Sequence, residues 1–175
     1  FNGHRDLLKQ TVGWDLWPGG CGSVYCDEAG QGYHGTHVLG TVCGNGTVRN
    51  EFRGTSPYLG QGGAIHRLFL VKCLCIGSFA YMRSAFTDPW GNTTPRPVLV
   101  TNSWGVHGCL RNCTVPANWI GSEAGPRATD DEVFQQGQLY LFSAGNDGAT
   151  GGGHSTAGTI ADPAVAKNVL TAAGS

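Results

Sequence analysis

Charge is scarce in this chain. In 175 residues, 11 Lys and Arg stand against 12 Asp and Glu, and no long run of like charge occurs. A net charge of −1 argues against a charge-driven nucleic-acid binder or membrane-surface binder. No apolar stretch approaches the ~20 residues of a membrane span. Several motifs are missing too. No P-loop is present, and Gly60-Gln61-Gly62-Gly63 precedes a strand-like run instead of opening a helix, which does not fit a nucleotide loop. No HExxH occurs, which argues against a zinc metalloprotease helix. Methionine is limited to Met82, and the chain opens on Phe1 without a signal or targeting segment. It is therefore read as an internal piece of a longer protein.

What is present is a core-forming composition, with 40% hydrophobic residues and a length suited to one domain. Glycine is abundant, at 29 residues, and its lack of periodicity excludes collagen. Seven cysteines occur. Cys21/Cys26 and Cys109/Cys113 are close pairs suited to small disulfide loops. Cys43, Cys73 and Cys75 lie in apolar runs and read as buried thiols. The spacings are poor for zinc knuckles and favour disulfides. Three sequons, at Asn45, Asn92 and Asn112, agree with a secreted or extracytoplasmic location.

Residues 1–33 read as irregular, with Gly and Pro breakers. The segment HGTHVLGTVC, from His34 to Cys43, reads as a helix stopped by Gly44-Asn45-Gly46. Strands are expected at 65–75, 97–104, 139–144 and 168–174. A helix is expected at 77–87, a loop at 88–92, and a further helix capped by Thr129 with Glu132 three residues on. Alternating strands and helices imply an α/β fold with a mainly parallel sheet. Active sites in such sheets sit at the carboxyl ends of strands. Two strands end in polar, Gly-containing turns, Asn102-Ser103-Trp104-Gly105 and Ser143-Ala144-Gly145-Asn146.

Three groups of residues could carry chemistry. His34 stands at a helix N-terminus, where the macrodipole favours neutral imidazole, the form a general base needs. The plainer reading makes His34 and His37 structural, or two metal ligands on one helical face. Asn146, just past a strand and flanked by Gly, could aim an amide at a developing oxyanion. An Asn-Asp-Gly turn without chemistry is its alternative. Residues 102–105 could pair with an extended peptide through their backbone, with Trp104 lining an apolar pocket. Otherwise a strand simply ends there, with Trp104 in the core.

The blocks HGTHVLGT (34–41), TNSWG (101–105) and SAGNDG (143–148), with the tail DPAVAKNVLTAAG (162–174), resemble signature segments of the subtilases, the subtilisin-like serine proteases of peptidase family S8. The wording of TNSWG and AKNVLT is most similar to the oxidation-stable alkaline branch. The resemblance covers roughly residues 30–175. It implies a three-layer subtilisin-like α/β fold and a serine endopeptidase acting on protein or peptide substrates through an acyl-enzyme. His34 would be the triad base and Asn146 the oxyanion donor. Ser103, Trp104 and Gly105 would form the substrate strand, and Ser143, Ala144 and Gly145 would line the pocket for the side chain before the scissile bond. No cofactor is implied for catalysis. Structural calcium is implied by the family alone, with Asn45, Asn50 and the tract Gly148–Gly153 as oxygen donors.

The departures from the family are specific. No GTSxA-type nucleophile block occurs in these 175 residues. Gly54-Thr55-Ser56-Pro57 resembles one only superficially, since it follows the histidine helix where the family has a turn, so Ser56 is not assigned as nucleophile. Phe1–Leu7 resembles the segment that follows the family's D-[ST]-G strand, so none of Asp6, Asp15 and Asp27 is assigned to the triad. Residues 1–175 are therefore expected to form a partial catalytic domain, without its Asp strand and Ser segment, inactive alone. The alternatives are a pseudoprotease and a secreted, disulfide-containing peptide-binding module.

Overall fold

The structure, a computed structural model, describes residues 4–7, 11–15, 33–59, 68–72, 91, 94, 96–105, 124–146 and 160–174, with 11–15, 68–72 and 124 as backbone alone. The chain divides into two compact units, Phe1–Leu74 and Cys75–Ser175. Every strand pair among the described residues is parallel. The fold is α/β, as the alternation of elements implies.

In the first unit, β1 (Thr11–Asp15) pairs with β2 (Leu68–Lys72), Thr11 opposite Leu68 and Asp15 opposite Lys72. The irregular reading of residues 1–33 is thus corrected at 11–15, and also at Arg5–Leu7, which form a 3-10 turn. Thr11–Asp15 is short, and its partner lies more than fifty residues on, so local pattern carries little of the signal. The helix α1 spans His34–Cys43, as its sequence leads one to expect. Leu39 and Cys43, one turn apart, are buried with Leu7, and Val42 and Leu59 pack against them. Cys43 is the buried thiol anticipated, its Sγ–H donating to the Leu39 carbonyl at 3.3 Å.

The segment Gly54–Ser56 closes the end of α1. Its three N–H groups donate to the carbonyls of Gly44, Thr41 and Val42 at 2.9, 3.0 and 2.7 Å. The last carbonyls of a helix have no partner within it, and this segment supplies one. Thr55 Oγ1 adds a bond to Val42 O at 3.2 Å.

In the second unit, β3 (Leu99–Asn102), β4 (Leu139–Ser143) and β5 (Leu170–Ala172) form a sheet in that order. Parallel neighbours need a crossover, and α2 (Ala124–Gln136) lies between β3 and β4 in sequence. Pro126 stands in its first turn, where the missing N–H has no cost. The helix closes at Gly137, whose N–H bonds to Val133 O at 2.9 Å.

Thr129 is therefore not a cap. It lies mid-helix, buried, with Oγ1 donating to Gly125 O one turn back at 3.1 Å. Asp130 is likewise mid-helix and not at a helix start. Gly91 has helical backbone where a loop was expected. The expected helix at 77–87 and six of the seven cysteines lie outside the described residues. Along β4, Tyr140 and Phe142 are buried and form the core with Ala164, while Val100, Trp104, Val133 and Val169 pack around them.

Candidate functional site

His34 is the first residue of α1 and is exposed. The residue before it, Tyr33, has φ 57° and ψ 35°, a left-handed conformation that turns the chain into the helix. The Tyr33 carbonyl accepts the His37 N–H at 3.1 Å, which fixes the first turn. His37 is also exposed, and its carbonyl accepts the Thr41 hydroxyl at 3.1 Å.

The other expected site residues belong to the second unit. In the parallel register Asn102 stands opposite Phe142. Ser103, Trp104 and Gly105 therefore leave the carboxyl end of β3 beside the point where Ser143 ends β4 and Ala144, Gly145 and Asn146 leave it. Two stretches far apart in sequence thus share one sheet edge, where α/β folds place their ligands.

Each stretch is held in place. The Ala144 N–H donates to Ala172 O at 2.8 Å, and the Ala144 carbonyl accepts the Ala161 N–H at 3.0 Å. Gly145 has φ 98°, a conformation that L side chains rarely adopt, and it leads to an exposed Asn146. Gly105 lies against Ala161: a Cβ there would sit 2.4 Å from the Ala161 Cβ. The segment 160–166 thus braces both stretches.

Trp104 is half-buried and meets Phe142 edge to face, with ring centroids 5.6 Å apart and planes at 82°. Its indole N–H donates to Asn102 Oδ1 at 3.2 Å. Asn102, itself buried, donates from Nδ2 to Leu141 O at 3.2 Å. Sequence reasoning gave Asn102 no role of its own. An Asn two residues before a Trp at a strand end is the signal that could have shown it, since both side chains then lie on one face.

Toward the amino ends of β3 and β4 runs a largely buried polar chain. Gln136 Nε2 donates to Glu132 Oε2 at 2.7 Å, the Tyr140 hydroxyl is within 2.5 Å of Gln136 Oε1 and 3.1 Å of Gln138 Oε1, and Gln138 Nε2 donates to Pro97 O. Burial, and secondarily the charge of Glu132, pushes the Tyr140 hydroxyl well above the ordinary tyrosine range.

Asn45 and Asn50, expected as oxygen donors for calcium, bracket the turn around Gly46. The carboxylate beside that turn, Asp6, accepts the Val48 N–H through Oδ1 at 2.9 Å. Among the described residues no group of three or more His, Cys, Asp or Glu could hold a metal ion. Gly148–Gly153 lies outside them. No helix among the described residues is long and apolar enough to cross a membrane.

No curated protein matches the chain significantly. A family model described as the subtilase family matches residues 25–175.

Proposed function

This chain belongs to the subtilase family of serine peptidases, and from that membership we propose that it carries the base, oxyanion donor and substrate strand of an endopeptidase. His34 would take the proton from a serine hydroxyl as that oxygen attacks the scissile carbonyl, then return it to the leaving amine. The Asn146 amide would donate to the oxyanion of the tetrahedral intermediate, where an equivalent donor is worth ~10²–10³ in kcat. Ser103–Gly105 would pair with the peptide backbone as an added strand. Ser143, Ala144 and Gly145 would line the pocket for the side chain before the scissile bond. Acyl transfer of this kind runs on protein groups, without a cofactor.

The observation that carries this reading is the shared edge of β3 and β4, with Ser103–Gly105 and Ala144–Asn146 leaving neighbouring parallel strands. The nucleophile is not assigned among these 175 residues. Ser56 is not assigned this role, because its segment stands where the family has a turn after the histidine helix; Gly54–Ser56 closes the end of α1 through its backbone N–H groups. Kinship with the oxidation-stable alkaline branch rests on the wording of TNSWG and AKNVLT. A secreted location rests on the three sequons and the close cysteine pairs.

Reading the transcript beyond both ends tests the proposal. A D-[ST]-G strand upstream and a GTSxA block downstream, in frame, complete a triad with His34. An intact frame with either residue replaced makes the protein a peptide binder that does not cut, and overturns the endopeptidase reading.

A further inference from the structure

We propose that Asn102 is a positioning residue for substrate selection: through Trp104 it sets an apolar wall that favours peptides with a large apolar side chain. The inference rests on the peptidase reading of the site and adds to it the source of a preference.

Asn102 is buried at the last position of β3, and both ends of its carboxamide are used. Nδ2 donates across the ladder to Leu141 O, and Oδ1 accepts the Trp104 indole N–H, each at 3.2 Å. The amide thereby ties the wall residue to the neighbouring strand. Trp104 has a second support in Phe142, whose ring it meets edge to face. Phe142 belongs to the core and fixes where one part of the indole lies, while the hydrogen bond fixes its rotation about the side-chain axis. An indole N–H leaving the core side without a partner would turn toward water and swing the ring with it. Trp104 is only half-buried, and the accessible part of a ring held by Asn102 would form the wall beside Ser103 and Gly105. A flat apolar surface next to an extended backbone selects for bulk and against polarity in the side chain laid on it.

The experiment uses the 175-residue chain and acetylated, amidated peptides of about eight residues, because strand addition needs several paired residues. A single Leu is moved through an Ala–Ser background, and each peptide is compared with its Leu-free parent by titration. The best-placed Leu should tighten binding by about tenfold, the discrimination expected from one apolar side chain in a pocket. Asn102→Leu should reduce that ratio to about twofold or less, because it removes both hydrogen bonds while keeping bulk. Asn102→Asp keeps an acceptor for the indole and loses only the donor to Leu141. It should lower thermal stability yet retain the ratio and the low-field indole N–H resonance of Trp104. A purely structural role would make the ratio follow stability in both variants. Trp104→Phe should narrow the ratio alone, and it carries the test should Asn102→Leu not fold. Wild-type binding with no Leu preference, or an unchanged preference in Asn102→Leu or Trp104→Phe, overturns the inference and leaves the peptidase reading standing. Failure of the wild-type chain to bind any peptide removes both.

Discussion

Asp130 holds Asn168 at two points. Its Oδ1 accepts the Asn168 N–H at 2.8 Å, and its carbonyl accepts Asn168 Nδ2 at 3.4 Å. The same Oδ1 also accepts the Lys167 N–H at 2.7 Å. One mid-helix carboxylate thus fixes the chain just before β5. Bonds to a charged acceptor are the stronger kind, but these are solvent-accessible, so Asp130→Ala should cost about 1–2 kcal/mol. Asp130→Asn keeps an acceptor oxygen and should lose about half as much. Urea midpoints of the two variants check this, and equal losses would show that the charge and not the geometry matters.

Tyr140 predicts an alkaline weakness. Its hydroxyl titrates above its ordinary value of 10.0 in the folded chain, chiefly through burial and then through the charge of Glu132. The folded state therefore keeps a proton that the unfolded state releases. Stability from this group is complete below about pH 10 and falls as pH rises beyond it. Tyr140→Phe should flatten that decline. At neutral pH it should cost about 1–2 kcal/mol, because the one hydroxyl proton shared by the Gln136 and Gln138 amide oxygens is lost. Thermal melts of both proteins from neutral to alkaline pH measure the effect, and parallel profiles would show that Tyr140 is not its source.

Some of this was legible in the residues and some was not, for physical reasons. Helix α1 is readable because one local stretch holds its start, its apolar spacing and its Gly44-Asn45-Gly46 stop. Strands β3, β4 and β5 are readable as apolar runs, although each is shorter than its run. Pro97 and Ser103 flank β3 where apolarity alone suggests extension. Strand β1 escapes because its strand partner among the described residues, β2, lies far along the chain. Thr129 misleads because Thr before Glu132 suits either a cap or a back-bonded helical position, and the helix already running from Ala124 decides. The turns 102–105 and 143–146 are visible as polar strand ends, but the carboxamide bridge from Asn102 to Trp104 depends on where Leu141 and Phe142 lie across the ladder.

Tyr33 carries backbone strain next to His34. It is the only non-glycine residue with positive φ among those described, and its ring is exposed. A left-handed conformation costs an L-residue about 1–2 kcal/mol. Glycine removes that cost but adds freedom to the unfolded chain, so Tyr33→Gly should stabilise the fold by roughly 0.5–1 kcal/mol. A bulky β-branched side chain suits this region least, so Tyr33→Val should destabilise. Differential scanning calorimetry of the pair gives opposite shifts in Tm. A lower Tm for Tyr33→Gly would mean that the ring contributes more to stability than its exposure suggests.

Gly105 couples the substrate strand to the brace behind it. A Cβ on Gly105 would lie 2.4 Å from the Ala161 Cβ and 3.4 Å from Asp162 O. Ala161 is buried and cannot swing aside. Gly105→Ala should therefore destabilise by about 1–3 kcal/mol, the usual cost of overpacking. Ala161→Gly alone should cost about 1 kcal/mol through lost contact and added backbone freedom. Together the two changes place one methyl where one methyl was, so their sum should overstate the loss in the double variant by at least about 1 kcal/mol. Because the Ala161 N–H donates to the Ala144 carbonyl, the strain in Gly105→Ala should also reach Ser143–Asn146. Peptide affinity should then fall in Gly105→Ala and recover in the double variant. Strict additivity in stability would show that Gly105 meets no resistance from Ala161, and the brace would have to lie elsewhere.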